Sequence, residues 1–348
     1  MNFHEFKEQP CSISHLPALK CTLMPGKRAF EEQLAALDAL REQPDEVRIP
    51  ALRKALGHKN NFVVGKAADL VRELQLTALN ESVVTAFDRF FDNPVKSDAQ
   101  CWAKNAISRA LAAFEYQDVD LFLRGMRHIQ MEPVWGGSSD TAGTLRATCA
   151  LALVQCRTLS EVDLMKHLVE LFADKDRSVR VEAVRAVEQV GSSAASLLLR
   201  LRATLGADEP EVLGACYGGI LRVEGNHAIP WVARFLATGD DAAGEAALAI
   251  AGTRSEAGFE VLRNCVNETS DPWFLSVLLS AIALTRQEAG VEFLLDLIGK
   301  ESMQAEAAME AILRAAPSAD LMERVKKLVA GNPRLARVLA EHRNSARR

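Results

Sequence analysis

The chain has 348 residues, a net charge of −5, 49% hydrophobic residues and only 6% aromatic ones. No stretch approaches the roughly 18 uninterrupted apolar residues of a membrane span, and the polar start at 1–8 has no apolar run behind it such as a signal peptide needs. Seven cysteines without framework spacing point to free thiols in a reducing cytoplasm rather than to a disulfide scaffold.

Residues 1–27 contain Pro10, Pro17 and Pro25 and no helical period, which predicts an irregular leader. From Arg28 the pattern turns helical, with Phe30, Leu34, Leu37 and Leu40 on one face. Pro44, Pro50 and Gly57 punctuate the next helices, and Asn60-Asn61 cap one running to about Leu76. Helix pairs follow near 82–91 with 98–114, 118–130 with 142–156, and 161–173 with 177–190. Four more fall near 193–205 with 209–222, 228–238 with 241–251, 256–267 with 272–285, and 290–299 with 302–315. A helix near 319–329 and a short one after Pro333 predict a C-terminal cap over 317–348.

The second helices repeat one motif. Its clearest copy is Ser-Val-Arg-Val-Glu-Ala-Val-Arg-Ala-Val at 178–187, with Val179 as anchor and small residues at Ala183 and Ala186. Equivalent anchors are Val63, Trp102, Leu145, Val212, Ala243, Phe274 and Ala305, separated by 39, 43, 34, 33, 31, 31 and 31 residues. A helical period of this size predicts an all-α, right-handed solenoid of about eight hairpins over 28–316. Trp102, standing where Val and Leu stand elsewhere, is expected in the core. Cys149 and Cys216 take the small buried slot that Ala183 fills.

This pattern resembles the HEAT repeat, and more narrowly the short HEAT-like repeats named after phycobilin lyases, most strongly at 168–191. The resemblance implies that second helices line an inner curve, and that an Asp in the turn braces an Arg six residues later. Asp174 with Arg180, and Asp140 with Arg146, match that spacing, whereas Val64, Ala103, Leu213, Gly244, Leu275 and Glu306 occupy the Arg position elsewhere. Such repeats serve adaptors, chaperones, transport factors and a few enzymes, so the resemblance implies fold far more than function.

The longest step comes from an insertion within 129–139, Ile-Gln-Met-Glu-Pro-Val-Trp-Gly-Gly-Ser-Ser. A loop carrying Glu132, Trp135 and a Gly pair has the chemistry of a recognition element, since Trp supplies a large anchor with a polar N–H. The alternative is that Trp135 covers a junction between unlike repeats. The candidate binding residues are Glu132, Trp135, Asp140, Arg146, Arg180 and Arg185, with no catalytic or metal-ligating residue and no cofactor. The histidines are scattered singly, and no nucleophile elbow, phosphate loop or His-Glu-x-x-His run occurs.

Residues 206–316 hold 7 Lys and Arg against 17 Asp and Glu, while 317–348 hold 8 against 3. Nucleic acid is a poor fit for such acidic repeats. The expected activity is therefore a non-catalytic scaffold for a protein or peptide, one with a basic segment suiting the acidic repeats. The alternative carried beside it is a HEAT-like enzyme of the DNA glycosylase or lyase kind, using Trp102 with Asp98 or Trp135 with Asp140.

Overall fold

A computed structural model describes residues 25–345. The irregular leader expected at 1–27 therefore lies almost wholly outside the described residues; its last three residues already belong to the first helix. The helices are α1 (Pro25–Asp38), α2 (Asp45–Leu56), α3 (Asn61–Glu73), α4 (Asn80–Arg89), α5 (Pro94–Ser97), α6 (Trp102–Ala113) and α7 (Val119–Met126). Two strands, β1 (Met131–Val134) and β2 (Gly137–Asp140), come next. The chain continues with α8 (Gly143–Val154), α9 (Glu161–Glu170), α10 (Arg177–Val190), α11 (Ser193–Leu205), α12 (Pro210–Glu224), α13 (Ile229–Ala233) and α14 (Asp241–Gly252). It closes with α15 (Glu256–Glu268), α16 (Pro272–Thr285), α17 (Glu288–Gly299), α18 (Ala305–Arg314), α19 (Ala319–Val329) and α20 (Pro333–Ser345).

The fold is all-α, apart from the two short strands. Helix starts carry the residue types that satisfy unpaired N–H groups. Asn60, Asp118, Ser160, Asp176, Ser192, Asp240, Ser255, Asp271 and Ser318 each accept a hydrogen bond from a first-turn amide. Stops at Gly191, Gly206 and Gly239 use positive φ, which costs glycine nothing. The helix after Pro333 is 13 residues long rather than short.

Packing follows one rule along the described chain. A row of helices, α3, α6, α8, α10, α12, α14, α16 and α18, contacts its neighbours in order. Partners α2, α4, α7, α9, α11, α13, α15 and α17 lie against that row one by one, and α19 and α20 continue at the C-terminal end. The core is a continuous band of Ala, Leu and Val between the two rows. Small residues let the helices come close: a Cβ placed on Gly125 would lie 2.4 Å from the Cys149 sulfur. Cys149 and Cys216 are fully buried in the small slot, as their repeat position predicts.

Two expectations are corrected. Anchors Val63, Leu145, Val179, Val212, Ala243, Phe274 and Ala305 are all buried, but Trp102 is 48% exposed. It meets Phe62 at 5.0 Å between ring centres with a 47° tilt, on the exposed surface of α3 and α6, and its ring lies over Gly65, where a Cβ would come within 2.8 Å of it. The true anchor of α6 is Ala103, followed by Ile107 and Ala110, all buried. The insertion within 129–139 is no irregular loop either: it folds into an antiparallel hairpin whose register runs from Met131 opposite Asp140 to Val134 opposite Gly137.

Candidate functional site: a clamped hairpin and its ionic ladder

Moving the anchor to Ala103 places Lys104 where Arg146 and Arg180 stand, one residue after the anchor, and places Asp98 six residues before it. A third acid–base pair thus belongs to the series. Both side chains are wholly buried, with Lys104 Nζ 3.1 Å from Asp98 Oδ2. Lys104 also donates to the Phe90 carbonyl at 3.1 Å and to Gln130 Oε1 at 3.0 Å. Asp98 caps α6, accepting from the amides of Ala103 at 2.8 Å and Lys104 at 3.0 Å, and from Asn61 Nδ2 at 3.1 Å. Every strong valence of this buried pair is therefore met within the protein, as such burial requires.

The same cluster holds the base of the hairpin. Gln130 donates to the Asp98 carbonyl at 2.8 Å and to Glu132 Oε1 at 2.6 Å. Glu132, on the inward face of β1, also accepts from Thr141 Oγ1 at 2.8 Å and from the Gln100 amide at 2.6 Å. Gln100 and Cys101 both sit at positive φ, a strained entry to α6 that the Glu132 contact helps to hold. Burial pushes the Glu132 carboxyl up, but its three donors and the charge of Lys104 outweigh burial and leave it below its ordinary value. Glu132 is thus a fastener facing inward. Burial likewise holds the His128 imidazole below its ordinary value.

Asp140, at the end of β2, accepts from the amides of Gln130 and Ala142, each at 3.0 Å, and from Arg146 Nη1 at 2.6 Å. Arg146 then reaches forward to Asp174 with a two-pronged contact of 2.7 and 3.1 Å and donates to the His128 carbonyl at 3.0 Å. Burial raises the Asp140 carboxyl, and the two amides and Arg146 more than reverse it. Arg180 does not pair with the carboxylate of Asp174 but donates to its carbonyl at 2.6 Å; its ionic partners are Asp208 at 3.0 Å and Glu209. Each Arg thus grips the turn of the following repeat, forming a ladder from Asp140 to Asp208 that Arg202 closes. Arg185 stands apart, exposed on α10 and paired with Glu182 one turn away.

The ladder end has a measurable acid sensitivity. Burial raises the Asp208 carboxyl, yet Glu209, Arg202 and Arg180 bring it down to about 2. Its stabilisation is present in full above about pH 4, and fades as the pH falls towards about 2. Urea titrations are expected to show a loss on the order of 2 kcal/mol across that window that is absent in Asp208→Asn. An unchanged acid profile in the variant would contradict the ladder's closure at Asp208.

At the other end of the hairpin nothing is fastened. The Val134–Gly137 pair brackets a two-residue turn, Trp135-Gly136, with Gly136 at φ +87°. Trp135 lies outside the positive-φ residues, so the turn is of the type that needs glycine at its second central position. The Trp135 side chain is fully exposed and Val134 next to it is half exposed, as are Ile129 and Met131 at the base of the hairpin.

No known protein-family model matches this chain, and no curated protein matches it. The site must be read on its own geometry. The structure joins Glu132, Asp140, Arg146 and Arg180 through one network, and leaves Trp135 and Arg185 outside it. Sequence reasoning missed Lys104 and Gln130 and set Asp98 beside Trp102 instead of Lys104; the signal was the six-residue Asp98–Lys104 spacing, hidden by Trp102 standing at the anchor position.

Among the described residues no group of three His, Cys, Asp or Glu is placed to hold a metal ion, and no described helix is long and apolar enough to cross a membrane. The five described cysteines are free. Burial pushes the Cys101 thiol up to about 11 and that of Cys216 to about 12, far from the reactive thiolate range.

Proposed function

We propose that the chain is a non-catalytic scaffold, a right-handed solenoid of about eight HEAT-like hairpins over 28–316 with a C-terminal cap over 317–348, working in the cytoplasm. The partner is a protein or peptide. It is gripped by the hairpin at 129–141 and by side chains of the α6, α8, α10 row of helices. The ordered row packing and the recurring Asp–Arg spacing support the repeat reading.

The single observation that carries the binding role is Trp135. A fully exposed tryptophan on a two-residue turn serves no packing purpose, while the base beneath it is fixed by the buried contacts of Gln130, Glu132, Asp140 and Thr141. A rigidly presented Trp costs little ordering entropy on association, which favours its use as an anchor. Val134, next to Trp135 and half exposed, enlarges the apolar contact.

The enzymatic alternative draws no support from the carboxylates named for it. Asp98 is buried and spent on Asn61, Lys104 and two amides, while Trp102 faces out to Phe62. Asp140 is spent on Arg146 and two amides.

A photo-crosslinking residue placed at position 138, exposed on the same hairpin with Trp135 left in place, is expected to capture one dominant partner from source-cell extract. Trp135→Ala should then weaken that partner by tenfold or more, as removal of an anchor does, with the melting temperature of the protein unchanged. Full affinity in Trp135→Ala would overturn the hairpin's role.

A further inference from the structure

A half-open groove of about 460 Å³ lies between α12 and α14, well away from the hairpin and of a size that takes a ligand group. Its lining includes three glycines, Gly214 and Gly218 one turn apart on α12 and Gly252 on α14, and the Arg222 guanidinium lies over Gly218, 3.2 Å from where a Cβ would be. Glu245 reaches over Gly214. A Cβ on Gly214 would stand 2.4 Å from its Oε2, so the carboxylate rests where any larger residue would block it.

The charges around the groove cancel, with one exception. Arg222 on its wall is bound to Glu188 of α10, and Glu211 is bound to Arg177 at 2.8 Å. Glu245 receives no hydrogen bond and no ion pair from any described residue. Burial, followed by the negative charge of Glu211, pushes its carboxyl above the ordinary value. A carboxylate in this position lacks the cation that would stabilise it. Apolar surface flanks it: Leu248 on the groove wall is 40% exposed, with Leu221 and Ala249 lining the groove beside it.

We propose that this groove is a second docking site, built to take one arginine or lysine side chain of the bound partner, its cationic head on Glu245 and its aliphatic stem along Leu248. The proposal rests on the scaffold reading and adds to it the chemistry of the partner segment. Charge complementarity selects the occupant: an anionic or neutral side chain would leave the Glu245 charge unmet, and the long stems of Lys and Arg suit an apolar wall beside a polar end.

The test uses the full chain with labelled leucine methyl groups and N-acetyl-arginine methylamide as probe, against its uncharged counterpart N-acetyl-citrulline methylamide. The arginine probe is expected to shift the Leu248 methyl resonances saturably, with a Kd on the order of 1 mM, and citrulline to bind at least fivefold more weakly. Glu245→Gln should abolish that preference while Trp135→Ala leaves it intact. Equal response to the two probes, or shifts confined to other parts of the chain, would overturn the groove assignment. Because the probe comparison is made on the unaltered protein, it decides the matter even if the Glu245 variant folds poorly. Loss of the groove's response would leave the hairpin crosslink untouched, so the two readings fail separately.

Discussion

Lys104→Met is expected to lower the stability of the protein by about 3–5 kcal/mol, the usual cost of removing one partner from a buried ion pair. The substituted side chain keeps the length of the lysine stem, so the loss is electrostatic rather than a packing void. Three acceptors then each lose the ammonium at once, Asp98 Oδ2, the Phe90 carbonyl and Gln130 Oε1, and the Asp98 carboxylate keeps only neutral donors. The Phe91 ring, 5.5 Å from the ammonium, loses its cation as well. Urea unfolding at neutral pH measures the effect. A double replacement, Lys104→Met with Asp98→Asn, should recover part of it, because the neutral amide no longer needs a counter-charge and can still cap α6. A loss below about 1 kcal/mol in the single variant would show that the pair contributes little despite its burial.

Arg146→Met is the second large effect, also about 3–5 kcal/mol, and it reaches into function. The guanidinium is almost wholly buried and holds Asp140 on one side and Asp174 on the other, so its removal leaves two carboxylates facing an apolar side chain. The Asp140 carboxyl is held down by its contacts in the intact protein. Its contribution is thus present above the ordinary carboxylate range and disappears as the pH falls through the lowered value. The stability gap between the intact protein and the variant is therefore expected to be widest near pH 7 and to narrow below about pH 4. Asp140 also fixes the Gln130 amide at the base of the hairpin, so limited proteolysis between Met131 and Ser139 should quicken in the variant. A pH-independent gap would assign the loss to packing instead.

Much of this arrangement was legible in the residues themselves. The recurrence of Val179, Ala183 and Ala186 along the chain reports a helix face that must be small and apolar to meet its neighbour, which is why the anchors are buried. Asp140 with Arg146 carried its own signal through a spacing that spans a turn and the first helical residues. Asp98 with Lys104 carried the same signal, but Trp102 drew the register one residue off. A large aromatic reads as core in a hydrophobicity pattern, whereas Phe62 and the bare Gly65 gave it a resting place on the surface.

The hairpin was harder to read. Met-Glu-Pro-Val and Gly-Ser-Ser-Asp have weak strand preference and no alternation of apolar with polar residues. They pair because buried donors around Gln130, Glu132 and Asp140 fix both ends of the segment. The direction of Glu132 depended on those distant partners, and no local pattern encodes it. Trp135 stood out for its type, and its exposure agrees with a turn that only glycine at 136 allows.

The ladder of charged rungs stops at Asp208. Beyond it Leu213, Gly244 and Leu275 occupy the position of Lys104, Arg146 and Arg180, and adjoining layers cohere mainly through apolar contact, with exposed ion pairs such as Arg324–Glu292 and Arg334–Glu306 added near the C-terminal end. Directional bonds resist sliding and twisting between layers, while greasy contacts tolerate both. The chain is consequently expected to be stiffer under the hairpin than from α12 onward, and on the proposed scaffold reading a guest fixed first on Trp135 would meet a far half able to bend to follow it.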